Sequence, residues 1–228
     1  MTAEILRLTN SAYFSTPAKV TSTMHAVRTL GIEIIQSLVL RIGIFRQFAG
    51  SANVMPLLKE LNEYSLSVAR LAETVAKAES MDHFVITSAQ CAGMLSSIGI
   101  LVLLDAKGAE FRALLGRVRP DESLFQAERE AFGVDHHLIG AYLLSLWGFS
   151  DAVIEAVALA PVPGLATGHE NQALTAVHVA LALAPRFPAL PKGVEGRDIL
   201  DRDYLRSVGR DGRVEAWQAL AEPLPGKE

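Results

Sequence analysis

Six histidines, one cysteine and one serine pair are the side chains of this 228-residue sequence best suited to chemistry. Asp135, His136 and His137 follow one another, a run that could offer a metal ligand or a general base. Neighbouring helical residues project about 100° apart, so the two imidazoles are not expected to face one ion. Asp135 also suits a helix N-cap, which explains a carboxylate there without chemistry. His136 therefore reads as a structural hydrogen-bonding side chain. His178 stands between Val177 and Val179 in an Ala/Leu-rich stretch, the setting of a satisfied core histidine. His25, His83 and His169 fall at exposed or loop-end positions. No His-Glu-x-x-His motif, His-x-x-His pair or carboxylate cluster accompanies them. Cys91, close to Ala89 and Ala92, reads as a small hydrophobe in mid-helix. Ser96-Ser97 lacks a Gly-x-Ser-x-Gly elbow, and the 17 glycines are scattered at helix ends instead of forming a phosphate loop. The residue types yield no catalytic constellation, and neither metal nor cofactor is expected.

The elements that would position these groups read as helices almost throughout. Ala (32) and Leu (31) supply most of the 50% apolar content, aromatics are 7%, and mean hydropathy is +0.27. Helices are expected over Ala3–Asn10, then from a Ser22 cap to Gly31, then Ile32–Phe48, with a Pro17 loop after the first. Pro56 suits the first turn of the next helix, where Leu57, Leu61, Tyr64, Val68, Leu71 and Val75 form an apolar seam. Asp82 should cap a further helix that Gly99 ends. Ala109–Val118, Glu122–Phe132, Asp135–Trp147, Asp151–Leu159 and Asn171–Ala184 follow, the last after a Pro161–Gly168 loop. Pro185, Pro188, Pro191, Gly193 and Gly196 then mark a linker. The domain reading is thus a helical body over 1–185 and, over 186–228, a linker with a small helical extension around Tyr204, Leu205 and Trp217.

Charge and composition exclude several function classes. Twenty-one Lys and Arg against 25 Asp and Glu give a net charge of −4, which disfavours an electrostatic grip on nucleic acid or anionic lipid. One cysteine allows neither an intrachain disulfide framework nor a Cys-rich zinc site. The 22 residues from His83 to Leu104 carry no Asp, Glu, Lys or Arg, long enough to span a bilayer. Ser88, Gln90, Gly93, Ser96, Ser97 and Gly99 interrupt that stretch, so it reads as two buried helices and not a membrane span. No signal peptide is visible, and the expected location is the cytoplasm.

Several segments in register give the sequence a family likeness. Ile5-Leu6-Arg7-Leu8-Thr9-Asn10-Ser11-Ala12-Tyr13-Phe14, then Ala26-Val27 and Leu30-Gly31, resemble the opening of the HD-related output domain, HDOD. Gly93-Met94-Leu95-Ser96-Ser97-Ile98-Gly99 sits where the wider HD superfamily has a Gly-Leu-Leu-His-Asp-Ile-Gly type segment. Glu128, Asp135-His136, Gly140 and Trp147-Gly148 resemble the later run of the family. The resemblance implies an all-α, compact multi-helix HD-like bundle with a small helical C-terminal appendage.

HD enzymes hold divalent cations with His and Asp side chains for phosphoester hydrolysis. By register, their ligand positions fall here on Tyr64, Ser96, Ser97, Ala160, Pro161 and Leu181, and should lie near one another. Hydroxyls are poor ligands at neutral pH, and Ala, Pro and Leu have no donor atom. The resemblance therefore implies a non-catalytic signalling output module. Its partners would be signalling proteins, such as a receiver domain in the same or another chain, in a two-component or cyclic-dinucleotide pathway. The alternative is a residual HD-type metal-dependent phosphohydrolase or nucleotide-binding regulator drawing on His136 and Glu128. The family normally has further helices ahead of the segment at Met1. A homodimer through the uncovered faces of the Ile5, Leu6 and Leu8 helix and of Ile32–Phe48 is the matching expectation.

Overall fold

The computed structural model describes residues 2–11, 13–14, 19–47, 55–119, 122–168, 171–184 and 200–221, with the backbone alone for 44–47. Ala12, Pro17, Phe48, His169 and the 185–199 linker lie outside the described residues. The architecture is all-α: α1 (Thr2–Thr9), α2 (Thr23–Leu30), α3 (Ile32–Gln47), α4 (Met55–Ala78), α5 (His83–Leu95) and α6 (Ile98–Leu115) come first. They are followed by α7 (Leu124–Phe132), α8 (His136–Leu146), α9 (Asp151–Leu159), α10 (Gln172–Leu183), α11 (Arg202–Ser207) and α12 (Val214–Ala221). No strand occurs among the described residues.

Helix α5 is the centre. It packs against α3, α4, α9 and α10, and Ser88, Ala89, Cys91, Ala92, Gly93, Met94 and Leu95 are all buried. Small residues let its neighbours approach closely: a Cβ on Gly93 would lie 2.9 Å from the Ala69 Cα of α4. Asp82 caps this helix as expected, its Oδ1 accepting the Val85 N–H at 2.9 Å. Burial and the nearby Glu33 push the Cys91 thiol well above its ordinary pKa, so it stays protonated.

Two expected boundaries differ. Gly99 does not end a helix: α5 stops at Leu95, the chain turns at Ser96-Ser97, and Gly99 lies in the first turn of α6. The expected separate helix over Ala109–Val118 is the second half of α6, which bends at Lys107 (φ −138°, ψ 33°) beside Gly108 and ends at Leu115. The stretch His83–Leu115 has the length and apolarity to cross a membrane, yet 72% of its most apolar window is buried within the protein. Those side chains serve the core.

At the N-terminal end, Asn10 clamps a loop. Its Nδ2 donates to Leu6 O and Val20 O, both at 2.8 Å, and its Oδ1 accepts the Val20 N–H at 2.7 Å. Gly31, at φ +86°, makes the sharp passage from α2 to α3 that a side chain would strain. The apolar faces expected to be open here are mostly closed. Ile5, Ile34, Ile35, Leu38 and Leu40 are buried and Leu6 and Leu8 half-buried, while Ile32 is exposed. An exposed apolar row lies instead along α8, at Leu138, Tyr142 and Leu146, beside Trp147.

The C-terminal helices fold back on α4 and α10. Trp217 is buried and its indole N–H donates to Glu79 Oε1 at 3.0 Å. Arg213 Nε donates to the same oxygen at 2.8 Å, and Arg210 pairs with Oε2. Burial alone would raise the Glu79 pKa, but the bonds from Arg213 and Trp217 and the two guanidinium charges bring it below the ordinary value. A depressed carboxylate contributes stability above its unfolded pKa, near 4.3, and loses it as pH falls through the folded value. In a Trp147→Phe background, Trp217 emission should stay blue at pH 7 and shift red only below about pH 4. Adding Glu79→Gln should red-shift it already at pH 7, and unchanged emission in both cases would contradict the clamp.

Candidate functional site

The positions that the sequence register assigns to HD metal ligands are spread over α4, α5, α9 and α10, which pack pairwise into one bundle apart from α4 with α9. Tyr64 is half-buried on α4. Ser96 and Ser97 are buried in the turn after α5, and the Ser96 hydroxyl donates to Gly93 O at 3.0 Å. Ala160 ends α9, Pro161 follows it, and both are buried, as is Leu181 on α10. The hydroxyl of Ser96 is spent on its own helix, and Ala160, Pro161 and Leu181 offer no side-chain donor atom. Among the described residues, no group of three or more His, Cys, Asp or Glu side chains is arranged to hold a metal ion.

His178 occupies this region in a different capacity. Its Nδ1 lies 2.7 Å from Ala160 O, and its Nε2 accepts the Asp201 backbone N–H at 2.9 Å. That pair of partners fixes the neutral tautomer with the proton on Nδ1. Burial lowers the pKa of His178, outweighing the bond to Ala160 and the charge of Asp201. Both nitrogens are used, joining the end of α9, α10 and the start of the C-terminal helices. His178 is the satisfied core histidine expected from its neighbours.

Glu128, Asp135 and His136 meet at the junction of α7 and α8. Glu128 is fully buried, and its Oε2 accepts the His136 backbone N–H at 2.8 Å while facing His136 Nδ1 at 2.6 Å. One carboxylate oxygen thus holds both the first residue of α8 and its ring, where the helix dipole favours negative charge. Asp135 caps the same helix by accepting the Leu138 N–H at 3.0 Å, and its other oxygen pairs with Arg129 Nε at 2.5 Å. Gly133, with φ +75°, ends α7. His83 is exposed and His25 half-buried, away from this junction in sequence and without a ligand cluster.

The two imidazoles depart from the expected divergence. The rings of His136 and His137 stack at 4.0 Å between centroids, 34° from parallel. Both are buried at the start of α8, where Glu128 draws one ring and the Val157 backbone holds the other. Burial first, then the neighbouring His136, lowers the pKa of His137 far below the ordinary value, so that ring is neutral at pH 7. Local helical geometry underestimated how far side-chain torsions bring adjacent rings together.

Gly99 and Gly140 set this junction against α6, and sequence reading missed the reason for the first. A Cβ on Gly99 would lie 2.0 Å from His136 O and 2.8 Å from Gly140 N. One on Gly140 would meet Ile98 Cγ2 at 3.0 Å. The Glu128–His136 clamp therefore sits on a backbone-to-backbone crossing. Gly99→Ala should cost roughly 1–3 kcal/mol in urea unfolding, despite the better helix propensity of Ala. Gly43→Ala, with nothing within 4 Å of its Cβ, should be neutral or stabilising. His136→Ala should cost about 1–3 kcal/mol by the same measurement, because it strands the buried Glu128. Unchanged stability in His136→Ala would remove the structural role assigned to that ring.

The fold is shared with an HDOD domain protein of unknown function from Geobacter sulfurreducens (18% identity, TM-score 0.55), covering 96% of this chain and 80% of that one. A candidate phosphohydrolase from Shewanella amazonensis SB2B gives 20% identity, TM-score 0.62 and coverage of 96% and 77%. A candidate signal transduction protein from Marinobacter aquaeolei VT8 gives 19% identity and TM-score 0.66; this chain spans 48% of its length, with 96% of its own covered. No curated protein matches the sequence. The model of the HDOD domain matches residues 1–163, across the Asn10 clamp, the Ser96-Ser97 turn and the Glu128–His136 junction, and the chain belongs to the HDOD family.

Proposed function

We propose that this chain is a non-catalytic signalling module that acts by binding another signalling protein, such as a receiver domain in the same or another chain. The observation that carries the reading is the chemistry at the HD ligand positions. Tyr64, Ser96, Ser97, Ala160, Pro161 and Leu181 replace a set of imidazoles and carboxylates whose number and charge create metal affinity. Two buried histidines support it too, since His178 uses both nitrogens in structural bonds and His136 Nδ1 faces Glu128.

The second reading, residual metal-dependent hydrolysis or nucleotide binding, draws on the buried His136, His137 and Glu128 and on the name of the Shewanella neighbour. One assay separates the two. The purified chain is incubated with a phosphomonoester, a phosphodiester and a cyclic dinucleotide, each with Mn²⁺, Mg²⁺ or Fe²⁺. No turnover above the rate of the His136→Ala variant is expected. Metal-dependent turnover that His136→Ala abolishes would establish the hydrolase reading instead.

A further inference from the structure

Among the described residues, Arg41 carries its charge into the protein without an ionic partner. The residue is 6% exposed on α3, and among the described residues its guanidinium meets one acceptor, the neutral Oδ1 of Asn62 on α4. A guanidinium presents five N–H donors in a rigid fork suited to carboxylate and phosphate oxygens. Buried charges are ordinarily paired, because removing an ion from water costs several kcal/mol. Here burial pulls the Arg41 pKa down to about 10, with only the nearby Tyr13 acting in the other direction. The protein keeps an underused fork in its interior.

That fork opens onto a space. A cavity of about 300 Å³ lies between α1, α3 and α4, lined by Arg41, Asn62, Ser11, Tyr13 and the exposed Arg7 among others. Leu38, Ile42 and Phe14 make part of its wall apolar. Glu4 lines it as well, so two arginines face one carboxylate. The wall near Tyr13 is held firmly: Phe14 meets that ring edge-on at 4.7 Å, and the Arg70 guanidinium lies over it at 5.4 Å. The size is at the lower end for small-molecule pockets, and an apolar lining with few convergent polar groups is their usual composition.

We propose that this cavity binds a small organic anion, a carboxylate or phosphate monoester on an apolar body, with Arg41 gripping the oxygens and Arg7 adding charge at the opening. The Asn10-Ser11 turn then has a second task, since the loop that Asn10 clamps delivers Ser11 and Tyr13 to the pocket wall. The proposal is independent of whether the module binds a partner protein. It adds a chemical input to it.

The test uses the full chain with benzoate and phenyl phosphate as probes and inorganic phosphate as the size control, followed by calorimetry and amide NMR. Saturable binding of at least one organic probe is expected, with shifts centred on Ser11, Tyr13 and Asn62. Arg41→Met, which removes a charge lacking a carboxylate partner at similar volume, should fold and weaken binding about tenfold or more. Arg7→Gln, at an exposed position, should weaken it by about threefold and keeps the test decisive should Arg41→Met not fold. The proposal fails if neither organic probe saturates by about 10 mM. It fails equally if both variants that fold bind as the parent does, or if the shifts centre elsewhere.

Discussion

A helix with no polar side must be enclosed on every side, and α5 imposes that condition on this protein. Its residues from Ser88 to Leu95 are all small or apolar apart from Gln90, and four other helices close around it. Enclosure favours small residues at the closest crossings, which is why Gly93 meets the α4 backbone and why Gly99 meets that of α8 shortly after the turn. Interiors packed this tightly tolerate little change in volume. Ser96, Ser97, Ala160, Pro161 and Leu181 belong to this same packed body.

Two of the polar clusters inside are organised by single oxygen atoms with more than one donor. Glu128 Oε2 faces both the backbone and the ring of His136, and Glu79 Oε1 receives Trp217 and Arg213. Such atoms connect elements that apolar packing alone would leave free to slide, because direction is the property that hydrogen bonds add to burial. Arg41 differs, a donor-rich group with a single acceptor among the described residues.

Much of the fold was legible because its signals are local. Ser22, Asp82 and Asp135 were readable as caps, since each side chain bonds an N–H three residues ahead. Gly31, Gly133 and Gly148 were readable as stops, and all take positive φ. Gly99 was misread because its requirement comes from α8, some forty residues onward, and not from its own helix. The same distance hid Glu79, whose donors lie more than 130 residues later. Of the site, the structural roles of His136 and His178 followed from their neighbours, whereas the stacking of His136 on His137 depends on side-chain torsions that spacing does not encode.

The Glu79 cluster also has a consequence for the order of assembly. The Trp217 donor is separated from Glu79 by 138 residues, so this closure is among the longest-range events in the chain. A ribosome delivers α4 well before α12, and loop closure over such a span is slow compared with pairing of adjacent helices. Throughout that interval the carboxylate faces water and the α4 surface that receives Trp217 stays bare. This side of α4 is therefore sealed only once α12 has been made, and the nascent chain exposes that apolar surface to chaperones until then.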